Sequence, residues 1–278
     1  MQRTVGAGAR QGAGGLAGSV ALVTGASRGL GAGLAARFAE AGLGLGLCAR
    51  HEPEPPDARG PGGGAAAGAG VVTAAVDVAD AGAVDRFCAS VVDRLGRIDL
   101  WVNNAGLLAP IGPLREADPD EVQANVEVNV VGVLHGSAAF ARHVRSRPGG
   151  GVLVNITSGA ASTPYAGWAA YCASKAAVDQ ATRVVAAEEH DAGLRAYAVA
   201  PGVVDTGMQA AIRATPPDRF PAVERFRELR RTGAYNSPAW VADHILDLLS
   251  ERGDGDDGGD GGDGGDVVRR VPDEPRAG

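Results

Sequence analysis

A chain of 278 residues is long enough for one large domain, and with aromatics at 4% its interior must be packed mainly by alanine, valine and leucine. The net charge of −7 is unevenly spread: nine acids and four arginines fall within 251–278, leaving a near-neutral body with no basic surface for nucleic acid. No apolar run approaches the ~18 residues that cross a membrane, and Cys48, Cys88 and Cys172 lack the spacing of a zinc site or redox pair, so a cytoplasmic protein without disulfides is expected.

Residues 1–15 carry arginines but no apolar signal core and read as a disordered leader, with the domain over 16–252. Residues 20–31 form the stretch around which the chain is organised. An apolar run of strand length breaks into a turn with glycines at 25, 29 and 31, and a helix is predicted from Leu34 to about Ala41. Glycines at such a turn let the backbone approach a phosphate resting on the helix N-terminus. The turn residues Gly25, Ser27, Arg28, Gly29, Leu30 and Gly31 are therefore candidate dinucleotide ligands. The second strand, 43–49, ends in Arg50, where an acid would bond the 2′-hydroxyl of NAD. Arg50 and Arg28 instead suit a 2′-phosphate, which favours NADP(H); the competing reading is two solvated surface arginines, with Glu52 close by.

Prolines at 53, 55, 56 and 61 break any regular helix over 51–70, which reads as a surface excursion. A strand over 71–76 leads to Asp77 and Val78, within reach of an adenine. Residues 83–95 have helical periodicity, with Val84, Phe87, Val91 and Leu95 on one face. The next strand, 98–102, ends in Asn103-Asn104-Ala105-Gly106. Two helices are predicted over 119–144, with Asn129 in the second. A fifth strand, 152–156, is followed by Ser158; a long helix from Tyr171 to about His190 and a sixth strand, 195–199, come next. Strands alternating with helices argue for one doubly wound α/β domain of Rossmann type, its parallel sheet holding about six or seven strands.

A loop follows Thr206, then a charged helical piece at 216–233 and an amphipathic helix at 238–251. The arginines at 225, 227, 230 and 231 read as a solvated face rather than a guide for an anionic substrate. Residues 253–278 form a tail that opens on a Gly-Asp run. It reads as a flexible acidic linker, because a calcium-binding roll needs an apolar residue in each turn. A short edge strand is predicted at 267–271.

Tyr171 and Lys175 stand at i and i+4, stacked on one helix face. A free tyrosine titrates near 10, and an ammonium one turn away, with the positive nicotinamide ring of the oxidised cofactor, is a source for lowering it. Ser158 lies thirteen residues earlier, just past a strand's carboxyl end, where open α/β sheets bind ligands.

At this point the chain resembles the short-chain dehydrogenase/reductase family. Thr24-Gly25-x-x-x-Gly29-x-Gly31, Asn103-Asn104-Ala105-Gly106, Ser158, Tyr171-x-x-x-Lys175 and Pro201-Gly202 match it in order, across residues 19–208. The resemblance implies hydride exchange between a nicotinamide cofactor and a small carbonyl or alcohol substrate. Tyr171 would be the proton donor, Ser158 would hold the carbonyl oxygen, and Lys175 would depress the tyrosine pKa and bond the nicotinamide ribose. Asn129 would anchor a relay water; on its residues alone it reads equally as a helix residue bonded to backbone. Asn104, Ala105, Gly106, Pro201, Gly202, Val204 and Thr206 would touch the cofactor. A homodimer or homotetramer is also implied.

Within the family, the residues around Gly167-Trp168 and Thr206-Gly207-Met208 are similar to the sepiapterin reductase and benzil reductase branch. Trp168 and Met208 are candidate walls of an aromatic pocket, although Trp168 equally reads as a packing residue. Arg269 stands where a sepiapterin reductase would carry a pterin-anchoring aspartate, which argues against that substrate. An aromatic ketone or diketone is expected; the alternatives are a 3-oxoacyl thioester and a non-catalytic NADP(H) sensor.

Overall fold

The structure, a computed structural model, describes residues 16–56, 70–251 and 266–276. The expected leader, most of the Pro/Gly-rich excursion and the Gly-Asp run lie outside these residues.

Seven strands form one parallel sheet in the order β3-β2-β1-β4-β5-β6-β7. They are β1 (Val20–Thr24), β2 (Gly44–Ala49), β3 (Val71–Ala75), β4 (Leu100–Asn103), β5 (Gly151–Ile156), β6 (Leu194–Ala200) and β7 (Val268–Arg270). The three strands β1, β2 and β4 are buried at every residue, as near-continuous apolar runs covered on both faces must be. Thr24 stands opposite Cys48, and Val23 opposite Val102, so β2 and β4 flank β1 in register.

One face is covered by α1 (Gly29–Glu40) and α8 (Pro238–Ser250), which bring Leu34, Phe38, Val241 and Ile245 to the core. Their approach is tight: a Cβ on Gly33 would lie 2.2 Å from Pro238 Cβ. The other face is covered by α2 (Ala81–Leu95), α4 (Gly132–Arg145) and α5 (Ala169–Glu189), with Phe87, Val91, Phe140 and Val144 packed beneath. A third apolar cluster sits beyond the carboxyl ends of the strands. It is built by α6 (Gly207–Ala214) and α7 (Val223–Thr232) around Trp168, Ile212, Phe220 and Phe226.

The helix predicted from Leu34 begins five residues earlier, at Gly29, because the glycine turn itself forms the first helical turn. The segment after Thr206, read as a loop, is α6: Met208 and Ile212 sit at i and i+4 and turn toward the third cluster. The charged helical piece shortens to α7, since Pro216, Pro217 and Pro221 precede it. The two helices over 119–144 are α3 (Pro119–Val126) and α4, joined by a π-helical turn, Glu127–Val131, which holds Asn129.

The strand order reverses at β1 and β4. Chain segments leave these neighbours toward opposite edges of the sheet, opening a crevice at their carboxyl ends.

Candidate active site

The glycine turn closes against the end of β4. Asn104 donates its side-chain amide to the carbonyls of Thr24 (2.9 Å) and Gly25 (3.1 Å), while Thr24 Oγ1 accepts from the amides of Asn104 and Ala105. A side chain here would collide: a Cβ on Gly31 would lie 2.3 Å from the Gly25 carbonyl oxygen. Gly25 and Gly29 both adopt left-handed φ, +66° and +58°. The first turn of α1 has no acidic residue and no side-chain cap on its amides. Those free N–H groups, at the positive end of the helix, fit a pyrophosphate.

Arg28 and Arg50 are exposed at the carboxyl ends of β1 and β2. Glu52 accepts a 2.5 Å bond from Thr73 on β3. Asp77 is exposed and its carboxylate accepts from the Ala79 amide, while Val78 is buried beside Gly132. Thr206 is the residue before α6, its side chain making no capping bond; a Cβ on Gly29 would meet its methyl group at 3.2 Å.

Tyr171 and Lys175 lie on the first turns of α5 and are almost fully buried. The lysine ammonium donates to the Ile156 carbonyl at 2.8 Å and stands 5.7 Å from the centre of the Tyr171 ring. Burial drives the Lys175 pKa down to about 8, against the pull of Asp179 one turn further on. Asp179 in turn accepts from Thr157 Oγ1 at the end of β5. Ser158 is next along the chain, at the start of a short 3-10 turn, and its oxygen accepts from the Ala160 amide at 3.2 Å.

The depression expected of Tyr171 is not found in the protein alone. Burial raises the phenol pKa; the Ser158 side chain opposes this, and the lysine is not among the groups that move it. The physical reason is mutual burial, since desolvation works against both charged forms at once.

Asn129 is fully buried, and both ends of its side chain are hydrogen-bonded. Its oxygen accepts from the Leu107 amide at 2.7 Å; its nitrogen faces the Leu107 carbonyl, Asn125 Oδ1 and Ser174 Oγ at 2.8–3.0 Å. It bonds side chains as well as backbone, and thereby ties the π turn to α5 and to the loop after β4.

Trp168 is the residue before α5 and is only 4% exposed. Its indole stacks on Phe220 (4.5 Å, 11°) and meets the Tyr171 ring at 5.7 Å and 77°. Met208 packs on the edge of the same cluster. Arg269 lies over the Tyr197 ring, on the face covered by α1 and α8. Its neighbour Arg270 is the one that approaches the serine turn, 3.6 Å from where a Gly159 Cβ would be. The α7 arginines meet protein partners: Arg225 the Tyr165 hydroxyl, Arg227 Glu224, Arg230 Asp205, and Arg231 Glu228.

Several supporting contacts, and the residues Asn155, Asp179 and Thr182, escaped the sequence reading. Asn103 donates to Asn155 (2.8 Å), Asn155 to Thr182 (2.9 Å), and Trp101 to Asn103 (2.8 Å), a buried chain joining β4, β5 and α5. Asn155 is the lone polar residue in an apolar strand, a visible signal. Asp179 stands at i+4 from Lys175, the same spacing that identified Tyr171. Among the described residues, no group of His, Cys, Asp and Glu has the makings of a metal site, and no helix is long and apolar enough to cross a membrane.

The model of the short chain dehydrogenase family matches residues 19–217. The benzil reductase ((S)-benzoin forming) of Bacillus subtilis is 42% identical over 161 residues; the match spans 57% of this chain and 66% of the relative, just under two thirds of its length. The 3beta-hydroxysteroid dehydrogenase 1 of Eggerthella lenta is 34% identical over 235 residues, 82% of this chain and 87% of the relative. The crystal structure of the KRED1-Pglu enzyme superimposes with a TM-score of 0.71 at 32% identity, covering 83% of this chain and 94% of that one.

Proposed function

Because the chain belongs to the short chain dehydrogenase family, oxidoreductases that use a nicotinamide cofactor on CH–OH and C=O groups, we propose that it is an NADP(H)-dependent carbonyl reductase for apolar or aromatic ketones and diketones. One observation carries the reading: Ser158, Tyr171 and Lys175 meet at the carboxyl end of β5, beside a cluster of aromatic rings.

Bound NADPH would supply the hydride to the carbonyl carbon. The turn 25–31 would hold its pyrophosphate on the α1 amides, with Asn104 bracing the turn. Arg28 and Arg50 would bind its 2′-phosphate. Asp77 and Val78 would border the adenine, and Thr206 with the 201–204 segment would close over the nicotinamide end. Tyr171 gives its hydroxyl proton to the substrate oxygen, which Ser158 Oγ holds in place. Lys175, anchored on Ile156, would bond the nicotinamide ribose. Asn129, within the π turn, would anchor a relay water.

A homodimer or homotetramer is proposed from the family resemblance. Buried Cys48 and Cys88, their thiols pushed up to about 12 and 11 by burial, suit the cytoplasm.

The test is side-by-side kinetics on benzil, sepiapterin and acetoacetyl-CoA, each with NADPH and NADH. Benzil with NADPH is expected to give the highest kcat/KM; a clear win for the thioester rejects the aromatic pocket. Arg50→Ala should raise the NADPH KM about tenfold and spare NADH, since a charged bond to phosphate is worth ~1.5–3 kcal/mol. Equal use of both cofactors by the unaltered enzyme rejects the NADP(H) assignment.

A further inference from the structure

Asp205 stands between Val204 and Thr206, the proposed cofactor contacts, but its carboxylate bonds the two helices that follow. It accepts from Arg213 Nη1, in the last turn of α6, at 3.2 Å, and from Arg230 Nη1 in the last turn of α7. Arg213 Nη1 also donates to the Tyr235 hydroxyl at 3.0 Å, just past the end of α7. Arg227 on α7 donates to the Arg213 carbonyl at 3.2–3.3 Å. One carboxylate thus joins three pieces of chain: the 201–206 segment, α6 and α7.

Neither helix is well fixed by its own sequence. With eight residues, α6 is shorter than an isolated helix needs to be. It has no acid in its first turn, and the residue before it makes no side-chain cap. On α7, Glu224 and Glu228 pair with arginines of the same helix, whereas Asp205 draws Arg230 to a different segment. The Asp205 and Arg213 side chains are 32% and 19% exposed, so their pair is partly shielded from solvent. What these bonds orient is the edge of the third cluster. Met208 and Ile212 come to it from α6, and Val223 and Phe226 from α7, beside Tyr171.

We infer that Asp205 is a positioning residue for the substrate. By fastening Arg213 and Arg230 it holds α6 and α7 against the rings beside Tyr171, and so sets how tightly a ketone binds. It touches none of the reacting atoms. The inference rests on the ketone reductase reading, in which the third cluster is the wall that the ketone meets.

Asp205→Asn keeps the shape of the side chain and removes its charge. Arg230→Gln, on an exposed side chain, removes one partner and serves should the first variant not fold. With saturating NADPH, Asp205→Asn is expected to raise the KM for benzil about fivefold and Arg230→Gln about twofold, the worth of two partly exposed ion pairs and of one. In both, kcat should stay within about twofold of the unaltered chain. The double variant should be no worse than Asp205→Asn, because both changes remove one interaction. Sodium chloride should raise the KM of the unaltered chain more than that of Asp205→Asn, since salt screens the pair that the variant lacks. A lower Tm with KM unchanged in both variants would show a purely structural bond and overturn the inference. Additive losses in the double variant would overturn it too.

Hydrogen exchange separates this inference from the ketone reading, because it needs no substrate. The amides of residues 207–214 should exchange about fivefold faster in Asp205→Asn, with those of α1 unchanged. Unchanged exchange over 207–214 overturns the role of Asp205, whatever ketone is reduced. Faster exchange in the variant, with no benzil reduced by the unaltered chain, overturns the ketone reading and leaves the fastening role of Asp205 standing.

Discussion

Lys175 is a cation held where a cation is poorly solvated. With its pKa at about 8, it shares its proton with solvent in the range where an enzyme works. Between about 8 and the ordinary value of 10.5, an unfolded chain keeps the proton that the folded one has released. The contribution of this residue to stability therefore rises with pH across that window and is constant below it. The same titration should appear in function, as a fall in kcat/KM for NADPH above about pH 8. Asp179 is the group that holds the pKa up, so Asp179→Asn should move this falling limb to lower pH; a limb that stays in place shows that another group titrates. General acid catalysis, the role proposed for Tyr171, contributes ~10²–10⁴-fold. Tyr171→Phe should thus lose at least about a hundredfold in kcat and still bind NADPH in a calorimetric titration.

At the scale of elements, small residues set how closely the layers approach. Gly136 on α4 faces Asn103 at the end of β4, and a Cβ there would lie 2.1 Å from Asn103 Oδ1, the atom that accepts from Trp101. Gly136→Ala should push α4 outward or break the Asn103–Asn155–Thr182 chain, at a cost of about 1–3 kcal/mol. Thermal unfolding would reveal it as a lower Tm, whereas an unchanged Tm would mean that the helix yields freely. This is also where the legibility of the sequence divides. The glycine turn and the Tyr171–Lys175 pair could be read because their geometry is set within a few residues of one another. The hydrogen bonds of Asn129 could not, since they depend on a π turn and on loop 107–109, brought together only by the tertiary fold. Met208 was identified as a candidate while its helix was not, because Gly207 obscures the start of α6.

Across the whole molecule, the described C-terminal segment reaches back to brace the candidate site. β7 pairs with β6, and Val271 is buried. Asn236 donates to the carbonyls of Pro201 and Pro272 and accepts from the Glu274 amide at 2.8 Å, while the Glu274 carboxylate takes the amide and hydroxyl of Ser237 at the start of α8. A chain ending at residue 265 would leave β6 as an open edge and free the 201–206 segment. Its Tm should fall, and its KM for NADPH should rise more than that for the ketone; a truncated chain with unaltered kinetics would show that the brace is not needed. The strand itself was legible from a short apolar run, but its grip on Asn236 was not, because 38 positions separate the partners.

That separation also has a meaning in time. At the ~5–20 residues per second of protein synthesis, Glu274 emerges about 2–8 s after the asparagine it must meet. Throughout that interval the nascent chain can already hold its glycine turn, its tyrosine and its lysine while lacking the clasp on Pro201. A ribosome-bound intermediate of this kind has the glycine turn and the tyrosine–lysine pair but not the clasp on Pro201, so the candidate site is assembled before it is braced.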